Sequence, residues 1–509
     1  MNRRGFIHSI TYFILCSKNL VFAYPKEKIN VLRSMSELRK YTAQYAGEKV
    51  KLSSYYENKN TGGGVFVAVE DIKSKDDGGI NIRQNNKLIW KRITDDSSII
   101  KPEWFGCIGD GLSDDADSFN KMLLFLDVGS VVFFKKNAIY YNALKDRGSE
   151  WIVKKDNITI IGNNASLTRR PANSVKTDDN LATLKVAGNN FKIVGRLNIS
   201  GKEKSTYLVD KNNNRISSNF YTRAVTSSHG LFIQNVKGIY IENIVCEDAV
   251  FPCFVSGCRD IYISGQFNNS GQVYPVKGND LQLGSGLKIS NSESFILDIR
   301  SENSAYCGCE IEPNCKDGRV KVNSRSPYMH GCILHKNIES VILDINTIEA
   351  IKGSGLRISS GCRNISGYVD ADTCQYAILV ISDKNEICKE INLKVSYKKI
   401  IKRVIVIYNT EKGSTSLDKG LFKIEGNDEN LRKSNKYMIE QDAVVSFYLD
   451  GIKKTNFIIN DTRKMVIEIR KTENVNIKLA PGIDSGKINF IEDDNYCLVI
   501  PSKGHVFPD

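Results

Sequence analysis

The chain has 509 residues, 41% of them hydrophobic and 25% charged, and its formal net charge is +13. A chain of this length and composition can bury a large core, and its length alone allows several domains. The positive charge favours anionic partners. Because the lysines are scattered rather than clustered, it favours an acidic polysaccharide over nucleic acid, while a solvated basic surface without a partner stays open. After the N-terminus, no stretch is long and apolar enough to predict a transmembrane helix.

Residues 1–23 are predicted to be an export signal. Residues 1–5 are basic, residues 6–16 form an apolar core, and Ala23 offers a small residue for cleavage before Tyr24. The apolar core is too short to span a membrane. The pair Arg3 and Arg4 also resembles a twin-arginine motif, so the general secretory and twin-arginine routes both stay open. The expected location is periplasmic or secreted.

Residues 24–98 are predicted to form a small β-rich module. Its landmarks, in chain order, are Val31-Leu-Arg-Ser-Met-Ser-Glu-Leu-Arg39, Val50-Lys-Leu-Ser-Ser-Tyr-Tyr56, Gly62-Gly-Gly-Val-Phe66, Asp76-Asp-Gly-Gly79 and Trp90-Lys-Arg92. This succession resembles the small N-terminal domain of bacteriophage tailspikes. The resemblance implies that the module attaches the protein to a virion. The alternative is a β-rich cap whose glycines only form turns.

The next segment, residues 102–126, contains Phe105-Gly-Cys-Ile-Gly-Asp-Gly111 followed by aspartates at 114 and 115. It resembles the opening sequence of pectate-lyase-like β-helices, with Cys107 in place of the usual alanine. Ser113 is predicted to cap a helix whose first turn holds both aspartates, which is favourable against the helix dipole. We expect these residues to be structural rather than catalytic. One apolar helix face, expected to close the end of a solenoid, contains Phe119, Met122, Leu123 and Leu126.

Eight copies of one pattern follow between residues 230 and 409. Each copy has a short alternating apolar run, a turn rich in Asn, Gly, Ser or Asp, and a second run rich in Ile and Val. At intervals of 22, 34, 22, 23, 24, 22 and 27 residues, the copies begin at Gly230, Pro252, Gly286, Gly308, Gly331, Gly355, Ala377 and Val404. A period in this range, with side chains alternating in twos, indicates stacked strands. Because the Leu-x-x-Leu-x-Leu ladder of leucine-rich repeats is missing, the pattern predicts an all-β, pectin-lyase-like parallel β-helix, right-handed by precedent.

The predicted solenoid covers residues 99–436 and includes the capping helix. Its coils begin irregularly near Val131, and residues 201–223 are polar enough to loop out of the stack. After a polar stretch the period returns at Val444, Val466 and Ile488, spaced by 22 and 22 residues. Residues 437–509 are therefore expected to continue the β-helix or to form a related C-terminal β-stack.

Twelve of the thirteen cysteines lie after the predicted export signal. An even number of cysteines in an oxidising compartment permits disulfides. Cys253, Cys309 and Cys332, however, fall in one inward register of the first strand, which predicts mostly buried thiols with a few bridges at most. No Cys-x-x-Cys pair has a histidine partner, so neither a metal site nor a cofactor is predicted.

Alternation also predicts which side chains of the first strand of each coil face outward. They form two columns along the solenoid, charged in the middle and apolar or aromatic at the ends. The first column is Phe232, Phe254, Lys288, Glu310, Ile333, Arg357 and Leu379. The second column is Gln234, Ser256, Ser290, Glu312, His335, Ser359 and Ile381. The charged middle is the candidate site.

Two chemistries fit this middle. Glu310 and Glu312 share one strand face with Cα atoms roughly 6.5–7 Å apart. Mutual repulsion is expected to raise the pKa of one, making it a general acid for glycoside hydrolysis. Alternatively, His335 or Lys288 is the base for β-elimination from a uronate, and Arg357 neutralises the sugar carboxylate.

Further residues are expected to bind substrate rather than to react. Phe232 and Phe254 are predicted to stack on sugar rings, and Lys288 and Ser290 to line the site. Asp280 lies in the longest coil, whose extra residues are expected to wall a groove. Two alternatives stay open. The loop acids Glu247 and Asp248 are rival catalytic groups, and the whole cluster is equally compatible with a non-catalytic sugar groove or a charged surface ladder.

The tailspike resemblance implies a carbohydrate-active protein that binds and cleaves a bacterial surface polysaccharide, and a trimer. The predicted export signal disagrees, because virion spikes assemble in the cytoplasm. The alternatives are therefore an exported β-helix protein that trims exopolysaccharide, similar to the one of colanic acid clusters, and a non-enzymatic adhesin. The fold itself does not decide, since it hosts hydrolases, lyases and inert scaffolds.

Overall fold

The computed structural model describes residues 29–71, 73–84, 87–143, 150–171, 181–224, 227–273, 282–384, 386–411, 414–426, 445–461, 465–479, 488–493 and 497–500. The predicted export signal and the loop residue Asp280 lie outside these residues. In the described part of the chain, no helix is long and apolar enough to cross a membrane.

The N-terminal module is a small sheet with one short helix beside it. Its elements are β1 (Asn30–Leu32), α1 (Met35–Lys40), β2 (Lys49–Leu52), β3 (Gly64–Glu70), β4 (Asn81–Arg83) and β5 (Leu88–Arg92). The strand order is β1-β2-β3-β5-β4. Ser34 caps α1 by accepting a hydrogen bond from the Glu37 amide. The module has its own core, in which Phe66 and Trp90 are fully buried.

The entrance to the solenoid combines short strands with the capping helix. Its elements are β6 (Ile99–Ile100), a 3-10 helix (Pro102–Phe105), β7 (Asp110–Asp114), α2 (Ala116–Phe125), β8 (Val131–Phe133) and β9 (Ile139–Asn142). The expected apolar face of α2 is buried, and Phe119 stacks on Trp151 with ring centroids 4.2 Å apart. The predicted helix start at Ser113 was wrong, because the helix begins after Asp115. Asp110 accepts hydrogen bonds from the Ser113 amide and hydroxyl, which keeps this residue in β7.

The rest of the chain winds between two long sheets. The first, which we name sheet I, contains β10 (Trp151–Val153), β13 (Leu181–Val186), β18 (Ser228–Gln234), β20 (Phe251–Ser256), β22 (Leu287–Ser290), β24 (Cys307–Ile311), β26 (His330–Leu334), β28 (Ser354–Ser359), β30 (Cys374–Ser382), β32 (Ile400–Asn409), β34 (Val445–Asp450), β36 (Met465–Arg470) and β38 (Ile488–Asp493). Neighbouring strands of sheet I pair in parallel.

The second sheet, sheet II, also pairs in parallel from coil to coil. Besides β6 to β9 it contains β11 (Thr159–Ile161), β12 (Ala165–Arg169), β14 (Phe191–Val194), β15 (Leu197–Ser200), β19 (Lys237–Ala249), β21 (Arg259–Val273), β23 (Glu293–Glu302), β25 (Lys316–Arg325), β27 (Glu339–Ile348), β29 (Arg363–Asp372), β31 (Cys388–Tyr397), β33 (Leu417–Gly426), β35 (Ile452–Asn460), β37 (Val475–Leu479) and β39 (Cys497–Ile500). The segment expected to loop out forms an antiparallel hairpin joined to β21, made of β16 (Lys204–Val209) and β17 (Arg215–Ala224).

This architecture is a right-handed parallel β-helix, as the repeats predict. One continuous apolar core runs between the two sheets from the capping helix to β37. Alternation explains it directly: from Gly318 to Ser324 of β25 every second residue is buried, and the residues between them are exposed or half-buried. The two sheets and their pairing extend through β38 and β39.

Asparagine or glycine shapes the turn to sheet II after each of six consecutive sheet I strands, β18, β20, β22, β24, β26 and β28. The backbone there has a positive φ, which Asn and Gly tolerate best. The residues at this turn position are Asn235, Gly257, Asn291, Asn314, Asn337 and Gly361. The Asn314 side-chain amide donates to Asn291 Oδ1 at 2.9 Å, so the turns are also linked from coil to coil.

Eleven cysteines, from Cys107 to Cys388, are buried and unpaired. Cys309 and Cys332 are neighbours in register on sheet I. In the described chain the solenoid therefore uses its thiols as small apolar core residues.

Candidate active site

The strand register of sheet I brings the first predicted column together. Phe254 pairs with Lys288, and Lys288 pairs with Glu310. Glu310 pairs with Ile333, and Ile333 with Arg357. Successive members are therefore one coil apart, roughly 4.8 Å along the solenoid.

The charged middle of the columns is one contact cluster of Lys288, Glu310, Glu312 and His335. His335 Nε2 donates to Glu310 Oε1 at 3.0 Å and lies 3.7 Å from Glu312 Oε1. Lys288 Nζ lies 2.8 Å from Glu312 Oε1 and 3.8 Å from Glu310 Oε1. An imidazole and an ammonium therefore lie between two carboxylates, which removes much of the repulsion between them.

Glu310 is the buried member of the cluster. Its side chain is 6% exposed, whereas those of Glu312 and His335 are 24% and 26% exposed. Burial by itself raises the pKa of Glu310, but hydrogen bonds from His335 and Ser285 and the charge of Lys288 outweigh it and hold the pKa below its ordinary value. The expectation of a raised pKa is therefore wrong for Glu310, because two cationic or donating neighbours separate it from Glu312.

Ser285 was not predicted from the sequence. Its hydroxyl donates to Glu310 Oε2 at 2.7 Å, and it is fully buried. The available signal was its position directly before Gly286, at the start of a coil. The equivalent positions before Gly331 and Gly355 carry His330 and Ser354, which are also buried and hydrogen-bonded to each other.

The two phenylalanines behave differently from the prediction. Phe232 is 5% exposed and stacks on His229 and Phe254, with ring centroids 5.0 and 5.3 Å away. It is therefore a packing residue and not a free platform for a sugar, which is a correction. Phe254 is half-buried, and its ring centroid lies 5.7 Å from Lys288 Nζ. It therefore borders the cluster together with the buried Phe251, whose ring centroid is 5.3 Å from the same nitrogen.

Ser290 and Arg357 lie on the same sheet face as the cluster but outside it. Ser290 is 8% exposed, and its hydroxyl donates to Ser256 Oγ at 3.0 Å. Arg357 is half-buried, and the structure shows no ion pair between it and an acid of the described residues. The rival acids Glu247 and Asp248 lie on β19 of sheet II, where burial raises the pKa of both.

Three residues of the cluster offer ligand atoms of the kind that metals bind. One atom each from Glu310, Glu312 and His335 lies within 4.8 Å of the others. The ammonium of Lys288, 2.8 Å from Glu312, supplies a positive charge at this position. These three residues therefore have the geometry to hold a cation, while Lys288 lies near both carboxylates.

Comparison with known proteins gives matches to the N-terminal module and to two curated proteins. Residues 31–95 match the family model of the phage tail protein small four-stranded beta-sheet domain. The Mu-like prophage FluMu defective tail fiber protein of Haemophilus influenzae is 38% identical over 93 residues, 18% of this chain and 14% of that protein. The amylovoran biosynthesis protein AmsF of Erwinia amylovora is 34% identical over 86 residues, 17% of this chain and 11% of that protein. These matches span only a small part of both relatives.

Among solved structures, the enzymatically active domain of tailspike protein 2 from bacteriophage CBA120 is similar over 97% of this chain and 59% of its own. The identity is 14% and the TM-score 0.40. The assignment of the β-helix rests on the parallel strand pairing of this chain, and not on this similarity. A phage-tail module followed by a parallel β-helix makes the chain tailspike-like.

Proposed function

We propose that this chain binds and cleaves a bacterial surface polysaccharide, capsular or secreted, on the outer face of sheet I. The observation that carries the proposal is the contact cluster, in which two carboxylates, an imidazole and an ammonium meet on a sheet face with Phe254 at its border. The matched phage-tail module supports it, because tail proteins act at bacterial surfaces.

Exposure divides the roles within the cluster. Glu312 and His335 reach solvent and would exchange protons with the substrate. Glu310 is buried with both oxygens engaged, so it would be a positioning residue that orients His335 and Lys288. Hydrolysis would need one exposed group to protonate the leaving glycosidic oxygen while the other activates water. Elimination from a uronate would need His335 to take the C5 proton beside the carboxylate as the C4–C5 double bond forms and the C4–O glycosidic bond breaks, with water or an exposed acid protonating the departing oxygen.

The proposal extends to assembly and location. The module of residues 24–98 would attach the protein to a virion tail, and the solenoid would form a homotrimer, as the tailspike resemblance implies. A second candidate is an exported protein that trims exopolysaccharide. The specific observation in its favour is the match to a protein named for amylovoran biosynthesis. Processing of the N-terminus before Tyr24 in cells would support this second candidate.

The test is turnover of acidic capsular polysaccharides by the chain and by Glu310→Gln and Glu312→Gln. We expect Glu312→Gln to lower the rate by about 10²-fold or more, since general acid–base groups contribute about 10²–10⁴-fold. Glu310→Gln should also lower the rate, because His335 and Lys288 would lose the carboxylate that orients them. New reducing ends without new unsaturated uronate absorbance would identify a hydrolase, and rising absorbance a lyase. The matched control is Asp344→Asn, an exposed acid on sheet II. Turnover unchanged in both cluster variants would refute the assignment, and binding without turnover would leave an adhesin.

A further inference from the structure

Arg357 is a half-buried cation without a partner among the described residues. Its Nε atom is shut off from solvent and makes no hydrogen bond to them. No described acid lies within ion-pair distance of its guanidinium. Burying part of an unpaired charge is unfavourable, and a guanidinium carries five hydrogen-bond donors. A side chain in this state is prepared for a ligand that supplies the missing anion.

The surroundings of Arg357 also offer donors and lack a facing acid. Ser359, two residues along the same face of β28, is 7% exposed, and its hydroxyl is unpaired among the described residues. His330 Nδ1 accepts a hydrogen bond from the Ser354 amide at 3.1 Å, so its proton lies on Nε2, which is buried and has no described partner. Burial, with the charges of Arg357 and His335, lowers the pKa of His330 to about 3, so it stays neutral.

The position of Arg357 relative to the cluster sets its role. Two register steps separate it from Glu310, with the fully buried Ile333 between them. This is roughly 10 Å along the solenoid, whereas His335, which directly follows β26, is only one coil from β28, roughly 4.8 Å. Arg357 would therefore hold a sugar carboxylate next to the reacting centre.

We infer that Arg357, with Ser359 beside it, is the binding subsite for a sugar carboxylate, so that the glycan held on sheet I is a uronate polysaccharide. The inference rests on the proposed function of this face and names its substrate class. A carboxylate matches the planar fork of a guanidinium with two parallel hydrogen bonds, which a lysine ammonium does not reproduce. Arg357 is thus a specificity-determining residue, and Glu312 and His335 remain the reacting groups.

The test compares each acidic polysaccharide with its carboxyl-reduced form, in which the uronates have become neutral sugars. Affinity electrophoresis through gels containing polygalacturonate, alginate, hyaluronate or xanthan measures the dissociation constant for the full chain. For the uronate glycan that retards it, we expect binding to weaken about 10- to 100-fold in Arg357→Gln and in the carboxyl-reduced gel. In the carboxyl-reduced gel, Arg357→Gln and the unchanged chain should have the same dissociation constant. Arg357→Lys should bind more tightly than Arg357→Gln but more weakly than the unchanged chain. The control is Arg319→Gln, which replaces an exposed arginine on sheet II and should keep the full affinity.

Two results would overturn the inference, and a third would overturn more. Equal binding of acidic and reduced glycan would show that no carboxylate is recognised, while the proposed polysaccharide function stands. A lower urea midpoint in Arg357→Met than in the unchanged chain would show a structural role, because an unpaired cation replaced by an apolar side chain should not destabilise the fold. Failure to bind any glycan, acidic or neutral, would remove the proposed function and this subsite with it.

Discussion

At the scale of single residues, Asp115 shows how a buried carboxylate can join two chain segments through hydrogen bonds to their backbone amides. Its carboxylate accepts hydrogen bonds from the amides of Ile108, Gly109 and Tyr141 at 2.7, 3.2 and 3.3 Å, and the residue is 1% exposed. Burial raises its pKa from 3.8 to about 6, although these amides lower it. The motif expected to be structural therefore has a structural reason for its second aspartate.

This raised pKa makes the stability depend on pH with a definite sign. The folded protein binds the proton more tightly than the unfolded chain, so the stabilisation is complete below pH 3.8 and is lost as the pH rises through about 6. We expect Asp115→Asn to be less stable than the unchanged chain, because its NH2 group would face backbone amides, at a cost of about 1–3 kcal/mol. The difference in urea midpoint between Asp115→Asn and the unchanged chain should become smaller between pH 4 and pH 7. A difference that becomes larger with pH would contradict the raised pKa of Asp115.

Alternation and period predicted which residues meet at the candidate site, but not how they meet. They placed Lys288, Glu310 and His335 on one face of neighbouring strands, and the register agrees. They did not predict the burial of Glu310, because alternation gives the face of a side chain but not what covers it, and they missed the hydrogen bond from Ser285, a turn residue outside the alternating run. For the same reason Phe232 was expected to be open, whereas His229 at the strand start covers it.

At the scale of elements, the asparagine turns set the path from sheet I to sheet II. Asn314 has φ 65° and donates to Asn291 in the coil before. We expect Asn314→Gly to lose only the hydrogen bond, about 0.5–1.5 kcal/mol, because glycine accepts the positive φ. Asn314→Ala should lose about 1–2 kcal/mol more than Asn314→Gly, because alanine has the Cβ that strains a positive φ and lacks the polar side chain by which asparagine tolerates it. Urea unfolding of the two variants measures the difference, and equal midpoints would show that the turn is not under this constraint.

The capping helix shows where sequence rules for elements stop. Its buried face was predicted from spacing alone, because the apolar residues repeat with the period of a helix. Its start was not, because Ser113 had two competing partners. Asp110, three residues earlier, captures both the amide and the hydroxyl of Ser113 and extends β7. A local capping rule does not predict this outcome, because Ser113 can form hydrogen bonds either as a helix cap or with Asp110.

At the scale of the whole molecule, the fold was predictable because every coil repeats the same constraint. A solenoid coil contacts mainly its neighbours, so one period read along the sequence defines most contacts. The parts of the chain that break the period were harder to predict from the sequence. The hairpin of β16 and β17 pairs antiparallel and joins β21 from outside the stack, which no repeat in the sequence announces.

The thiols give a test of the whole molecule, since they are spread from the entrance at Cys107 to Cys388 in the later coils. Burial raises the pKa of the Cys388 thiol to about 11 and that of the Cys315 thiol to about 12, and the thiolate is the reactive form. We therefore expect the folded protein, carrying Cys16→Ser and Cys497→Ser to remove the two other thiols, to react negligibly with Ellman's reagent. In urea it should release all eleven thiols. Fewer than eleven would reveal bridges, and rapid reaction of the folded protein would show that the core is open, because a closely packed solenoid excludes the reagent along its whole length.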